Sequence, residues 1–358
     1  MNIYKLKLLI SVLIGIVLLA VFLWRRDMAE ERKMSERISS MPMKSVCVGR
    51  FVMDVPRHAV VTYRAASIAG WDISVIQETA EEFIRRAKGK ENLLALQKNE
   101  RGGVSIENVR ELGKNGVIGK IFSFNRKWIE LRRSGKDVVS ERVQIDAILR
   151  LAGVSYDFTS ELRRMEDVDL LASLLNRLRV VSDGDIPQEP GFCFDRSFIA
   201  DPLTAEQHEY TSLFLGVKEH PDLAVSLSTA AGIRNDRTLL QRDADNDVQR
   251  EYRSNFHRLR AGARSLNGIP GEEVLQRVHE LNGAKLHGFM WESLADKNNV
   301  YLPSLSLELD TGLGQPGHPV NSSLSDTEAL TLWDKISSSL RLRPVGDQKP
   351  TSVASKGS

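Results

Sequence analysis

The sequence predicts an α+β protein of two related domains, each a mostly antiparallel sheet with helices packed on it, preceded by an N-terminal transmembrane helix. Three observations carry this reading. Strand candidates come in runs with helices at fixed places, not in the regular alternation of βαβ units. The chain repeats its own landmarks on either side of a linker rich in Gly, Pro and Asp. Leu8–Trp24 (LLISVLIGIVLLAVFLW) is seventeen residues without a charge, the lower limit for a membrane-spanning helix.

Lys5 and Lys7 precede that stretch and Arg25 and Arg26 follow it. A cleaved signal has a shorter core ending in small residues. This one ends in Phe22, Leu23 and Trp24, with no cysteine nearby to carry a lipid. It reads as an uncleaved inner-membrane anchor over residues 1–26, although basic residues on both sides leave its orientation unset. A charged stalk is expected at 27–43, a first domain at 44–182, a linker at 183–191, a second domain at 192–346 and a polar, disordered tail at 347–358.

In the first domain, Phe51–Val55, Val60–Arg64 and Trp71–Ile76 are short strands rich in Val, Ile and aromatics. Thr79–Gln97 is helical, with Phe83, Ile84 and Ala87 on one face and a possible break at Lys88-Gly89-Lys90. Val104–Leu112, Val117–Phe124, Trp128–Arg132, Val138–Leu151 and Val154–Phe158 follow as strands, with the hairpin signal Asn115-Gly116 between the first two. In the second domain the strands are Leu223–Ser228, Glu272–Leu281, Ala284–Ser293 and Ser304–Leu309. Asp245–Arg260 is expected as a helix, from Val248, Tyr252, Phe256 and Leu259.

The two domains read as copies of one another. CVGRFVMDVP opens the first and CFDRSFIADP the second, each with Arg three residues and Pro nine residues after the Cys. NGVIG begins 68 residues after Cys47 and NGIPG 74 residues after Cys193. DVDLLASLLNRLR closes the first copy and DTEALTLWDKISSSLR the second. Three landmarks in one order at similar spacing argue for duplication.

Composition excludes several functions. A net charge of +2 does not suit a dedicated nucleic-acid binder. Two cysteines cannot build a disulfide-dense scaffold or a multi-cysteine zinc site. The stretch GLGQPG at 312–317 has the G-x-G-x-x-G spacing of a dinucleotide site, but that site needs a helix starting within the glycines. Here Pro316 and Pro319 intervene, and the next helix opens near Ser325, where Ser325 and Glu328 form a capping box. The segment reads as an irregular loop, and no cofactor is expected. No G-x-S-x-G elbow or H-E-x-x-H pair is present, so no catalytic or metal site is expected. His287 reads as structural, and Glu272 and Glu273 fall on opposite faces of a strand. The basic residues around Trp128 (Arg126, Lys127, Arg132, Arg133 and Lys136) read as a solvated face. Cys47 and Cys193 open equivalent strands; a disulfide or two buried thiols are both open, because equivalent positions meet only if those edges face each other.

The set CVGRFVMDVP, GFCFDRSFIADP, NGIPGEE, LHGFMWES and LPSLSLELDTGLGQPGHP resembles the immunity proteins paired with type VI secretion lipase effectors of the fourth family. The resemblance spans about Lys44 to Val345 and implies a non-enzymatic periplasmic protein. It implies two α+β domains that grip the lid region of a cognate phospholipase. Loop length alone then points to Gln315, His318 and Asn321 as partner contacts. An anchored periplasmic sensor or envelope-complex subunit with tandem binding domains shares the anchor and the duplication.

Overall fold

The computed structural model describes residues 21–344 apart from 23, 24, 27, 134, 202–207 and 234. The anchor expected at Leu8–Trp24 and the tail at 347–358 lie almost wholly outside these residues. Among the described residues no helix is long and apolar enough to cross a membrane.

Each half of the chain runs through the same series of elements. Helix α1 (28–39) comes first. The first half then has the hairpin β1 (Met43–Val48) and β2 (Phe51–Pro56), followed by β3 (Val60–Tyr63), β4 (Ala66–Ile68), β5 (Trp71–Ile76) and α2 (Ala80–Leu96). It continues through β6 (Ile106–Leu112), β7 (Val117–Arg133), β8 (Lys136–Leu151), β9 (Val154–Arg163), α3 (Asp167–Leu175) and β10 (Leu178–Val180). The second half has the hairpin β11 (Gly191–Phe194) and β12 (Ser197–Ala200), then β13 (Glu209–Val217), β14 (His220–Ala231), α4 (Leu239–Ala244) and α5 (Asp247–Glu251). It ends with β15 (Phe256–Ala263), β16 (Gly271–His279), β17 (Lys285–Ser293), β18 (Ser304–Asp310), α6 (Asp326–Ser337) and β19 (Arg341–Leu342).

The sheets follow the same symmetry. The first half-sheet runs β4-β5-β9-β8-β7-β6 and the second β13-β14-β18-β17-β16-β15, so corresponding strands occupy corresponding places. The two join edge to edge, because β13 pairs with both β3 and β4. These thirteen strands form one continuous antiparallel sheet. The turn signals act as read. Asn115-Gly116 and Asn267-Gly268 all take positive φ, which a two-residue hairpin turn requires.

The opening hairpins are exchanged between the halves. β1 and β2 pack Val46, Val48, Phe51, Met53 and Val55 into the second half's core, with Trp291, Leu307 and Trp333. β11 and β12 pack Phe192, Phe194 and Ile199 into the first half's core, with Tyr156, Phe158 and Leu171. Each hairpin is completed by the short strand after the other half's closing helix: β19 pairs with β2, and β10 pairs with β12. Burying five large apolar side chains contributes on the order of 10 kcal/mol to the receiving core.

The structure differs from the sequence reading at several elements. Asp245–Arg260 is not one helix. Asp245 ends α4, Asn246 caps α5 by accepting from the Gln249 N–H, and from Phe256 the chain is a strand. Val248 and Tyr252, which suggested an apolar face, are exposed. The strands expected at Val117–Phe124 and Trp128–Arg132 are one strand, β7, with its register shifted between Phe124 and Lys127. Lys88-Gly89-Lys90 does not interrupt α2, whose start is fixed by the capping box of Thr79 and Glu82. β13 (EYTSLFLGV) has no clean polar–apolar alternation, because polar Glu209, Thr211 and Ser212 are buried along with its apolar residues. The segment expected as a stalk is tied down at its end. Ile38 is fully buried against the second core, and the Lys335 ammonium in α6 donates to the carbonyls of Ile38 and Met41 at 3.2 and 2.7 Å.

An exchanged core cannot close within either half. Residues 28–183 and 184–346 expressed separately are expected to be insoluble or loosely packed, and to give one cooperative unfolding transition only when co-expressed. Two independently folded halves, each with its own sharp transition, would contradict the exchange.

Candidate partner-binding site

The two exchanged hairpins meet back to back. Cys47 and Cys193 form a disulfide with their Cα atoms 5.8 Å apart. Gly49 and Cys193 exchange backbone hydrogen bonds, each 2.8 Å, beside it. Gly49 has positive φ, and a Cβ there would lie 2.7 Å from Thr229 Cγ2, so the crossing demands glycine. The edges carrying the two equivalent cysteines do face each other, which settles the choice left open above.

Next to the crossing, the guanidinium of Arg50 is 3% exposed and forks onto two carboxylates. Nε and Nη2 donate to Glu209, and Nη1 and Nη2 to Asp201, at 2.5–3.0 Å. Burial alone would lower the Arg50 pKa, and the two carboxylates outweigh it and hold it above its ordinary value. Arg343 sits behind, donating to the carbonyls of Pro187, Glu189 and Gly191 in the linker. Burial and the neighbouring Arg50 push Arg343 down to about 10. Arg50 and the two Nη atoms of Arg343 are engaged within the fold and position the halves, while the buried Arg343 Nε has no partner among the described residues.

The loop between β18 and α6 holds the three expected contact residues. The side chains of Gln315 and His318 are exposed at its tip, where the His318 N–H donates to the Gln315 carbonyl at 2.8 Å. Asn321 is different: its carboxamide oxygen accepts from the Lys285 N–H at 2.9 Å and holds the loop to β17. The glycines of GLGQPG serve the loop's own backbone. Gly312 takes positive φ against Leu286, and a Cβ on Gly314 would lie 2.1 Å from the His318 carbonyl oxygen. Asp222 anchors the loop base, accepting from the N–H groups of Gly312 (3.0 Å) and Ser323 (2.9 Å). Burial alone would raise the Asp222 pKa; the hydrogen bonds from Ser323 and Gly312 outweigh it and hold it below the usual range. His287 is a buried structural residue, bonded to Thr311 and Asp326, each at 3.0 Å. Glu273 is buried between Arg260 and Arg264, while Glu272 accepts from the Leu240 N–H on the opposite face.

A third feature has no counterpart in the sequence reading. On the sheet face away from the core, α4 and α5 leave a groove over β15–β18. Its floor carries Phe256, Gln276, Val278, Met290, Glu308 and Asp310. Asp310 lies largely buried, and burial together with the nearby Glu308 pushes it up to about 6. Among the described residues neither Glu308 nor Asp310 has a basic partner. The LELD alternation at 307–310 was the available signal, placing both carboxylates on one strand face. By contrast, Arg126, one of the basic residues around Trp128, has carboxylate partners. Arg126 pairs with Glu107 and Glu141, and Arg101 stacks on the Trp128 ring at 3.5 Å.

Comparison with known proteins covers both halves. Residues 44–133 match the family model "Tle cognate immunity protein 4 N-terminal domain", and residues 185–345 match "Tle cognate immunity protein 4 C-terminal domain". No curated protein matches. Among solved structures, the apo immunity protein TplEi of the type VI secretion system of Pseudomonas aeruginosa is 25% identical, with a TM-score of 0.70. That alignment covers 86% of this chain and 99% of TplEi. TplEi complexed with an "L" peptide is also 25% identical, covering 85% of this chain and 99% of the other, with a TM-score of 0.65. A Tle4–Tli4 complex shares the fold at 24% identity and a TM-score of 0.68, covering 85% and 98%.

The loop anchor can be tested directly. Asp222→Ala leaves the buried Gly312 N–H and the Ser323 N–H without their acceptor and is expected to cost about 2 kcal/mol at neutral pH. A carboxylate with a depressed folded pKa contributes stability above its unfolded pKa and loses it as pH falls through the folded value. The difference from wild type in urea unfolding should therefore shrink as pH falls below about 3.9, the ordinary Asp value. Equal stability at neutral pH would show that Asp222 does not hold the loop.

Proposed function

The chain belongs to the Tle cognate immunity protein 4 family, and we propose that it binds and inhibits a cognate type VI secretion phospholipase in the periplasm, gripping the lid region between its two halves. The single observation that carries this reading is the match of both halves to the two domains of one immunity family. The solved complex of related fold is one of an effector with its immunity protein. The family is one of binding inhibitors, not enzymes.

The physics of the role follows from the fold. A lipase needs its lid open at a membrane, and a protein that binds the closed lid shifts that equilibrium against activity. One continuous sheet joins the two halves, so two contact patches stay at a fixed separation. Engagement of one then raises the effective concentration of the other without a flexible linker to order. Gln315 and His318 project from one end of this sheet and are available as contacts; Asn321 supports their loop.

The periplasmic assignment is supported by the disulfide, because thiol pairs are kept reduced in the cytosol. Alkylation of cells before lysis should leave Cys47 and Cys193 unmodified until a reductant is added. Full alkylation without reductant would place the chain in a reducing compartment. For the activity, the purified chain mixed with the lipase encoded beside its gene is expected to form a stoichiometric complex and abolish phospholipid hydrolysis. Undiminished hydrolysis at excess immunity protein would refute inhibition.

A further inference from the structure

The duplication supplies an internal control for the groove over β15–β18. In the first half the same sheet face is covered by α2, a helix of 17 residues. Phe83, Ala87 and Leu94 of α2 fill it against Phe122, Phe124 and Ile148. Two basic residues of α2 reach two carboxylates on the strands below: Arg86 pairs with Asp157 at 2.5 Å and Lys90 with Asp146 at 2.7 Å. A filled groove in this fold therefore holds an amphipathic helix with cations on its sheet-facing side.

Aligned on the shared turns NGVIG and NGIPG, the cross-strand pair Ile148–Asp157 corresponds to Glu292–Ser306, and Asp146–Thr159 to Met290–Glu308. In both pairs the carboxylate has moved to the neighbouring strand but kept its place on the same face. The first carboxylate of the second half keeps its cation, since Arg242 of α4 pairs with Glu292 at 2.6 Å. The second does not. The helix is interrupted at Asp245 and Asn246, before the turn that would correspond to Lys90, and Glu308 is left without a basic partner among the described residues. Asp310 adds a further carboxylate beside it, largely buried and held up to about 6 by burial and Glu308. Arg258 and Arg242 on the rim are engaged by Asp243 and Glu292. The remaining floor is apolar or neutral: Phe256, Val278, Met290 and Gln276.

We propose that this groove is a docking site for an amphipathic helix of the lipase effector, which lays its apolar side on Met290 and Val278 and brings a Lys or Arg to Glu308 and Asp310. The occupant takes the place that α2 fills in the first half and supplies the cation that the broken helix lacks. Helix-in-groove recognition of this kind anchors through residues spaced at one face of the helix. A charge pair made on binding at a largely dehydrated position is strongly sensitive to removal of either partner. This inference rests on the immunity reading above.

The test is calorimetric titration of the purified lipase into the full chain. Glu308→Gln combined with Asp310→Asn is expected to weaken binding at least about tenfold, the loss of one buried charge pair. The unbound variant should melt no lower than wild type at neutral pH. A carboxyl with a raised folded pKa disfavours the fold increasingly as pH rises through the interval up to about 6, and the amide removes that charge. Met290→Lys, directly across the ladder from Glu308, supplies the missing ammonium internally; it is expected to preserve the fold and also weaken binding. Wild-type affinity in both variants would overturn the groove proposal while leaving the immunity reading intact. Failure of the wild-type chain to bind the lipase would overturn both.

Discussion

The crossing of the two opening hairpins is the constraint on which the rest of this molecule depends. Each hairpin closes a core made by the other half, so neither core is complete until the two halves have met. The Cys47–Cys193 disulfide spans a sequence separation of 146 and lies at that crossing. Cross-linking so long a loop removes much of the unfolded chain's freedom, an effect of roughly 2–5 kcal/mol in the chain-entropy picture. Arg50 then fixes the angle of the crossing, because a planar guanidinium forked onto two carboxylates tolerates little rotation. Such a pair is weak as a source of stability and strong as a source of geometry, since any displaced arrangement leaves a buried charge unpaired. With the crossing fixed, β13 meets β3 and β4, and the half-sheets become one surface.

Much of this was legible in the sequence. The strand runs, the two Asn-Gly turns, the capping box of α6 and the repeated landmarks are local signals, and local signals survive without tertiary context. The match of CVGRFVMDVP to CFDRSFIADP correctly marked equivalent hairpins. It could not show that they are exchanged, because the same apolar alternation fits either core equally well. The disulfide was undecided for the same reason: equivalent cysteines approach only where the edges carrying them face each other, and nothing in either half alone says so. The expected helix at Asp245–Arg260 failed because spacing was read without its caps. Asn246 is a better N-cap than an interior helical residue, and Phe256 is pulled into β15 by pairing with Val278. In the expected contact loop all three side chains are exposed, and a hydrogen bond separates Asn321, whose carboxamide oxygen is committed to the Lys285 N–H, from Gln315 and His318. No pattern in the sequence distinguishes those roles.

Duplication followed by divergence accounts for what the second half has and the first half lacks. The first half keeps the long helix over its sheet, with both carboxylates paired and the apolar face covered. The second half has a broken helix, an extra loop of Gly and Pro before α6, and two carboxylates without cations. Each departure carries a cost to the free protein: Asp310 is charged in a largely dehydrated place at neutral pH, and the groove floor keeps apolar side chains near water. A chain selected for folding alone would remove both, as its own first half does. Their presence on a scaffold rigidly closed by the crossing is the signature expected when part of the folding free energy is held in reserve for a partner. The rigidity matters as much as the groove. On the groove proposal, a surface already in its bound arrangement would give up little conformational entropy on association, so the stability invested in the exchanged hairpins would return as tighter binding.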